Sequence, residues 1–279
     1  MKRSGNRSVL ILPGLRYDGT EEKRGEDQMA EISEVRRELA LDCFLLAGKV
    51  MMESGAETYR VEDTMIRMAV SQNMMDSHCF VTPAGIMFSP SNDLPTRFVR
   101  IHGRRTDLER VARVNAVSRR LVGGQLTLQQ AYEEMTEIEK NHYLFPLWLQ
   151  VLAASVASAC FLLLLGGGWA DIPFAFLIGG TGFYIVEMVL LKTRVKFFAE
   201  FIGAVAIGTL AVLAVYSGFG TDPNTIIIGS VMPLVPGLLI TNAVRDLMAG
   251  HFVSGLSMGA EAFLTAFAIG AGIAIVLSF

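Results

Sequence analysis

Two prolines and a glycine interrupt an apolar stretch near the C-terminus, and this interruption offers the clearest chemistry in the sequence. Pro233 and Pro236 lack the backbone N–H that helical hydrogen bonding needs, and Gly237 follows them. The carbonyls of Gly229 and Met232 therefore lose their usual donors four residues further on. At membrane depth such backbone groups are tolerated only against protein or a water-filled cavity, and many transporters bind substrate at a broken helix. A simple proline kink is the alternative interpretation.

Polar side chains follow this break on one face of the expected helix. Asn242 has Arg245 three positions further on and Asp246 four positions further on, so the three share a face. The guanidinium of arginine presents a planar set of donors that suits a carboxylate. We therefore predict that the break binds substrate and that Arg245 holds a substrate carboxylate. The predicted substrate-binding residues are Pro233, Pro236, Gly237, Thr241, Asn242 and Arg245.

Three glutamates lie in the other apolar stretches, where an ionisable group is costly and is therefore often functional. Glu187 and Glu261 lie inside their stretches, and Glu200 lies early in another. We predict that they line one charged vestibule with Arg245, where Glu187 or Glu261 carries a proton. The alternatives are buried pairing and side chains that reach out to the membrane surface. The predicted coupling residues are Glu187, Glu261, Asp246 and Glu200.

The first half of the chain also carries polar residues that could do chemistry. They have enough carboxylates for an acid/base or metal site, but such charges on helices usually form a solvated face. His78 beside Cys79 is a weaker indication of function. The sequence contains no phosphate-binding loop, nucleophile elbow or zinc-protease motif, so we expect no catalytic residues, metal site, cofactor or ATP-driven transport. These polar residues are Glu53, Thr58, Arg60, Glu62 and Asp63.

Charge divides the chain into two unlike halves. Residues 1–144 contain 20 Lys and Arg and 21 Asp and Glu, whereas residues 145–279 contain only 4 and 6. This drop excludes a single soluble globule, and the apolar second half excludes disorder. Both halves are slightly negative, which excludes nucleic-acid binding as the main activity. We predict an α-helical membrane protein with a flexible cytoplasmic tail (1–30), a small α+β cytoplasmic domain (31–144, the head) and a five-helix transmembrane domain (145–279, the bundle).

Five apolar stretches in the bundle have the roughly 20 residues that a membrane-spanning helix needs. Glycine and other small residues recur in them, including Gly179, Gly180 and a Gly255-x-x-x-Gly259 pattern, and these favour close helix packing over ligand binding. The stretches run approximately over residues 145–165, 172–191, 197–217, 225–246 and 257–279.

The basic residues of the bundle predict its orientation, because short cytoplasmic loops hold an excess of Lys and Arg. Lys192, Arg194 and Lys196 lie between the second and third stretches, and Arg245 lies at the end of the fourth. This distribution predicts a multi-pass protein of the plasma (inner) membrane, with its N-terminus in the cytoplasm and its C-terminus outside.

The head shows the alternating periods of helices and short strands. Apolar residues recur with helical spacing over residues 31–52, and Ser54 and Glu57 have the spacing of a capping box that opens a second helix through residue 71. Strand-like runs at 79–82, 85–89 and 97–102 follow, punctuated by prolines. Helices at 107–121 and 127–140 lead to the bundle.

The sequence resembles the threonine/serine exporter family. The resemblance rests on residues 47–65 (AGKVMMESGAETYRVEDTM), 82–86 (TPAGI), 233–237 (PLVPG) and 242–246 (NAVRD), and it extends from about Val35 to the C-terminus. Longer family members look like ten-span proteins, whereas five spans are predicted here. The chain therefore looks like the shorter, YjjP-like members, which work with a separate small membrane protein that supplies the remaining spans.

This resemblance agrees with an independent topological argument. An odd number of spans leaves the two ends of the bundle on opposite sides, so a second five-span unit would insert upside down and complete an inverted repeat. We therefore expect a secondary-transporter subunit that exports a small carboxylate-bearing metabolite, which the resemblance suggests to be threonine/serine or a dicarboxylate such as succinate. The alternative is a membrane-anchored hydrolase or sensor whose active part is the head.

Overall fold

The computed structural model describes residues 19–91, 94–141 and 145–278, with side chains from residue 34 onward. This described part is mostly helical and contains one three-stranded sheet. The N-terminal half consists of α1 (Gly19–Glu53), α2 (Thr58–Ser71), β1 (His78–Thr82), β2 (Gly85–Ser89), β3 (Arg97–Arg100), α3 (Leu108–Val122) and α4 (Leu128–Lys140).

Helix α1 begins before the apolar pattern of the sequence predicted. It includes residues 19–30, which we assigned to the flexible tail, while residues 1–18 of that tail lie outside the described residues. The added segment contains three Glu and one each of Lys, Arg, Gln, Met and Ala, which favour helix without needing a core to pack against. The helix therefore extends beyond the part that apolar periodicity marks.

The three strands form an antiparallel sheet in the order β1-β2-β3, and the predicted strands are confirmed in number and place. Val81, Ile86 and Phe88 point from one face of this sheet into the core. Strand β3 ends at Arg100, two residues earlier than predicted, because the chain then turns toward α1, where Arg105 N donates to Glu53 O at 2.9 Å.

The connection between α1 and α2 differs from the prediction. Gly55 adopts a left-handed φ of +87°, and α2 then begins at Thr58 with Glu57 at its N-cap position and no side-chain capping bond. The Ser54 hydroxyl is buried and has no hydrogen-bond partner among the described residues. The predicted capping box is therefore wrong, because α2 begins only at Thr58 and Glu57 stands at its N-cap position, where Ser54 was expected.

Helices α3 and α4 are confirmed, and their N-termini show why they begin where they do. The Asp107 side chain accepts a hydrogen bond from Arg110 N, and Thr127 forms a reciprocal capping box with Gln130. Each helix then buries one apolar face against α1.

The core of the head extends into the bundle. Phe44, Met51 and Phe88 are fully buried at its centre, and Ala243 and Met258 of the bundle belong to the same apolar cluster. Burial of continuous apolar surface is the main favourable contribution to folding. The head and the adjacent end of the bundle are therefore stabilised by one shared core.

Among the residues that the structure describes, four bundle helices are long and apolar enough to cross a membrane, and a bent pair of shorter helices makes a fifth span if counted as one. The bent pair meets at an angle of 61°. The four long helices are α5 (Leu147–Leu164), α6 (Ile172–Thr193), α7 (Lys196–Tyr216) and α10 (Phe252–Leu277), and the pair is α8 (Pro223–Val231) and α9 (Gly237–Met248).

Small residues set the distances between these helices, as their recurrence in the sequence predicted. A Cβ at Gly179 would lie 2.0 Å from Ser158 Oγ, and one at Gly229 would lie 3.0 Å from the Leu162 Cα. Gly255 brings α10 against α9, where an added Cβ would lie 2.9 Å from the Ala243 carbonyl oxygen. Close packing of this kind is how membrane helices associate.

We expect Gly229→Ala to lower the thermal stability of the full chain in detergent micelles. The new methyl group would meet backbone atoms of α5, so α8 must move away at a cost of about 1–3 kcal/mol. The matched control is Gly270→Ala in α10, which has no atom within 4 Å of the added Cβ and gains helix propensity. Equal melting temperatures for the two variants would contradict this account of the packing.

Candidate functional site

The predicted break in the fourth apolar stretch is present in the structure. Helix α8 ends at Val231, a short 3₁₀ turn covers Met232–Leu234, and Pro236 stands at the N-cap position of α9. The Met232 carbonyl, deprived of its donor at Pro236, accepts instead from Val235 N at 3.2 Å. The prolines thus replace regular helix by a tight turn and redirect the chain.

This change of direction brings the polar face of α9 against the turn between α1 and α2. Arg245 Nη1 lies 2.6 Å from Glu57 Oε1, and Asn242 Nδ2 donates to the Gly55 carbonyl at 3.1 Å. Thr241 lies apart from this contact, since its hydroxyl donates to the Gly237 carbonyl of its own helix at 2.9 Å. Of the predicted substrate-binding side chains, Asn242 and Arg245 are therefore the two that meet the head.

A second group of polar side chains lies beside this contact and is almost fully buried. Ser254 Oγ donates to Asp246 Oδ2 at 2.8 Å and also contacts the hydroxyl of Thr58. Asp246 Oδ1 has no hydrogen-bond partner among the described residues. We call the whole contact, between residues 54–62 of the head and residues 242–254 of the bundle, the junction.

His251 and Glu62 extend the junction toward the sheet. His251 Nδ1 lies 3.7 Å from Glu62 Oε2, and the other carboxylate oxygen of Glu62 accepts from Val81 N at 2.9 Å. Burial raises the pKa of the Glu62 carboxyl, and nearby Asp246 raises it further, while Val81 and His251 act in the opposite direction. Glu62 is therefore the more easily protonated of the two head glutamates at the junction.

Glu57 is held in its charged form. Burial opposes the charge, but the backbone N–H of Glu57 itself, Arg60 and Arg245 together outweigh it and lower the pKa of the Glu57 carboxyl. Its side chain is only 9% exposed, whereas that of Arg245 is 55% exposed. The pair thus joins a buried carboxylate to a cation that solvent still reaches.

The predicted coupling glutamates lie at the same end of the bundle as the junction, but they do not form one cluster with Arg245. Glu261 Oε1 pairs with Lys196 Nζ at 2.7 Å, and buried Glu200 lies near the same lysine. Glu187 Oε2 lies 3.4 Å from Arg105 Nη2, an arginine of the head. Each glutamate therefore faces a cation, and the head supplies some of these cations.

Sequence reasoning did not identify the head residues that complete the site. Glu57 and Thr58 belong to the run that carries the family resemblance, but the sequence otherwise marked Glu57 only as part of a capping box and Thr58 only as one of the polar residues of the head. Arg104 and Arg105 lie in no motif. Ser254 lies before the fifth predicted apolar stretch (257–279) and in no motif.

The polar residues of the head that suggested acid/base or metal chemistry have other partners. Glu62 binds the backbone of β1, and Asp63 forms an exposed pair with Arg67. In the part of the chain that the structure describes, no three His, Cys, Asp or Glu side chains lie close enough together to hold a metal ion. The arrangement suits the exchange of partners between carboxylates and cations at the mouth of a bundle.

The chain is similar to proteins of one family. A family model described as "Putative threonine/serine exporter" matches residues 42–279. A Mycobacterium tuberculosis protein named "Probable threonine/serine exporter" is 28% identical over 243 residues, which cover 84% of this chain and 45% of that relative. An Escherichia coli protein named "Probable succinate transporter subunit YjjP" is 25% identical over 236 residues, which cover 83% of this chain and 91% of that relative.

Similarity reaches fungal proteins as well. "Pheromone-regulated membrane protein 10" of Debaryomyces hansenii is 24% identical over 250 residues, which cover 84% of this chain and 24% of that relative. The chain thus spans less than half of the mycobacterial and fungal relatives and most of the Escherichia coli one. No solved structure matches the chain.

We expect the pair between Glu57 and Arg245 to contribute measurably to stability. A double-mutant cycle with Glu57→Gln, Arg245→Gln and the double variant should give a coupling energy of about 1–2 kcal/mol, because one partner is buried and charged. The measurement is the free energy of unfolding in detergent micelles. The exposed pair Asp63 and Arg67 is the control, with an expected coupling of about 0.5 kcal/mol or less; equal couplings would contradict the junction.

The lowered pKa of Glu57 gives this contribution a defined pH dependence. It is fully present above the ordinary pKa of a glutamate and is lost as the pH falls through the lower pKa of the folded protein. The difference in unfolding midpoint between wild type and Glu57→Gln should therefore be constant near neutral pH and shrink in acid. A difference that grows as the pH falls would show that the assigned direction is wrong.

Proposed function

Because the chain belongs to the threonine/serine exporter family, we propose that it is a subunit of a secondary transporter that exports a small carboxylate-bearing metabolite. Family membership supports transport, and the broken span is the structural observation that carries the proposal. The alternative is that the bundle only anchors a soluble enzyme or sensor. A simple anchor would not need a bent span whose second half places an arginine in contact with the head.

The substrate class follows from the relatives and from the chemistry of the site. Their names point to threonine and serine in one case and to succinate in the other. All three compounds carry a carboxylate, which an arginine recognises through two parallel hydrogen bonds. Threonine/serine or a dicarboxylate such as succinate is therefore the proposed cargo.

The proposed substrate site is the break and the first turns of α9. Pro233 and Pro236 remove regular backbone hydrogen bonds there, Gly237 begins α9, and Asn242 and Arg245 supply side-chain donors. Arg245 is bound to Glu57 in this structure, so an arriving substrate carboxylate would replace that glutamate. Transport would then require the head to release the end of α9.

Coupling to an ion gradient is assigned to the acidic groups of the bundle. Glu187 and Glu261 lie near the head and face cations that can be exchanged, while Asp246 and Glu200 are buried. A carboxylate that loses its cation becomes easier to protonate. We therefore propose that proton uptake by Glu187 or Glu261 accompanies movement of the substrate.

We further propose that the head lies in the cytoplasm, that the last helix ends outside the plasma membrane, and that a second five-span subunit completes the transporter. The excess of Lys and Arg at the head-facing end of the bundle supports this orientation. The word "subunit" in the name of the Escherichia coli relative, and the greater length of the mycobacterial one, support the partner.

Export from cells tests this function. In a strain that lacks the gene and retains the proposed partner, efflux of threonine, serine and succinate is measured before and after the gene is restored. We expect Arg245→Ala to reduce restored efflux about tenfold or more, because a charge-assisted hydrogen bond to the substrate is lost, and Asn242→Ala to reduce it less. The matched control is Arg67→Ala, an exposed arginine on α2 far from the break in sequence.

The efflux results can disprove the assigned substrate site and the proposed export activity independently. Wild-type efflux in both Arg245→Ala and Asn242→Ala would disprove the assigned site while leaving export intact. Equal efflux of all three compounds with and without the gene would disprove the proposed function.

A further inference from the structure

A cavity of about 470 Å³ lies in the head where the chain leaves β3 and approaches the bundle. It is not part of the proposed substrate site, and pockets of this size accommodate small metabolites. Its charged lining contains more basic than acidic side chains. The ionisable lining residues are Glu53, His102, Arg104, Arg105, Asp107 and Arg110.

Two of these residues are occupied in holding the head together. Arg110 Nε donates to the Ile138 carbonyl at 3.2 Å, and Arg110 Nη2 donates to the Glu139 carbonyl at 3.0 Å. Asp107 accepts from Arg110 N and begins α3. These contacts join α3 to α4, so Arg110 and Asp107 form a structural wall of the cavity.

Arg104 is mostly buried, with a side chain that is 16% exposed, and its two partners in the bundle lie far from it. Its Nη1 lies 3.8 Å from Glu261 Oε2, beyond hydrogen-bond range, and its Nη2 lies 3.8 Å from the sulfur of Met258. Its Nε is buried and makes no hydrogen bond to any described residue. Glu261 already has a shorter pair with Lys196 at 2.7 Å, so Arg104 retains most of its capacity to donate.

Burial of this guanidinium has a cost that a ligand would relieve. Burial lowers the pKa of Arg104, and the opposing effects of Glu261 and Asp246 do not restore it. A buried cation is normally fully hydrogen-bonded, because an incomplete shell of partners leaves its desolvation uncompensated.

Arg105 is the more exposed of the two arginines. Its Nη2 lies 3.4 Å from Glu187 Oε2, which is long for a charge-assisted hydrogen bond, and its side chain is 58% exposed. The two consecutive arginines therefore both line one cavity, and the guanidinium of each makes only a long contact with a glutamate of the bundle.

We propose that this cavity is a capture site for the carboxylate of the transported substrate, with Arg104 and Arg105 as its ligands. The proposal rests on the proposed transport function and adds a second carboxylate site on the head side of the bundle. A carboxylate matches the donors of a guanidinium at about 2.7–2.9 Å, closer than either glutamate lies now.

Capture links substrate arrival to the predicted coupling residues. A carboxylate in the cavity takes over Arg104 and Arg105, so Glu187 loses its partner from the head and Glu261 keeps only Lys196. Loss of a nearby cation favours protonation of a carboxylate. The substrate thus changes the charge balance at the bundle mouth before it reaches the break.

Isothermal titration calorimetry on the full chain in detergent micelles tests the site. The probes are succinate, L-threonine and succinamide, which resembles succinate but has no carboxylate. We expect at least one carboxylate probe to bind and succinamide not to bind. Arg104→Gln should weaken binding about tenfold or more and Arg105→Gln less, because Arg105 is exposed. Arg104→Lys should lie between wild type and Arg104→Gln, since it keeps the charge but not the planar donors.

The carboxylate probes distinguish two sources of the ligand. Binding of succinate alone identifies a dicarboxylate substrate, and binding of threonine alone identifies an amino acid; either result supports the site. Arg120→Gln is the matched control, because Arg120 is an exposed arginine of the head that pairs with Glu134 at 2.8 Å, and wild-type affinity is expected for it. An equal loss of affinity in this control would overturn the assignment.

Three further results would overturn the capture site. They are no binding of either carboxylate to wild type, equal binding of succinamide, and wild-type affinity in folded Arg104→Gln. Thermal unfolding of each variant establishes that it is folded, and Arg104→Lys with Arg105→Gln decides the question if Arg104→Gln does not fold. Export that persists with unchanged binding in Arg104→Gln would remove this site alone, whereas binding lost in that variant without export by wild type would remove the transport function alone.

Discussion

The contact between Arg245 of α9 and Glu57 of the head is the interaction on which the arrangement of this protein depends. Glu57 is a buried carboxylate, and a buried charge that loses its partner destabilises the folded state. Asn242 fixes the same turn through the Gly55 carbonyl, and Ser254 joins Asp246 to Thr58. Displacing the head from the bundle would therefore leave several buried polar groups without partners at once.

Apolar packing strengthens this dependence. Ala243 of α9 and Met258 of α10 lie in the same core as Phe44 and Met51 of the head. A movement of α9 would have to repack side chains in the head, because protein cores are close-packed and adjust in discrete steps. The end of the broken span and the head are thus mechanically connected by polar and apolar contacts together.

The break in the span orients α9 so that it can contact the head. Without Pro233 and Pro236, α8 and α9 would continue as one helix, and the bend of 61° would not turn the polar face of α9 toward the α1–α2 turn. Close contacts at Gly179 and Gly229 hold the first half of the span against α5 and α6. The span therefore has one half fixed in the bundle and one half bound to the head, which is a suitable geometry for a gate.

The sequence by itself determined the division into a charged and an apolar half, the five apolar stretches, the strands and helices of the head, and the break, because each depends on local periodicity or on the missing donor of proline. It did not determine which charges meet. Glu57 and Arg245 are separated by 188 positions, Ser54 does not cap α2, and Arg104 lies in no motif. These pairings were decided by the tertiary structure, because contacts between distant residues depend on how helices pack and on the requirement that buried charges find partners.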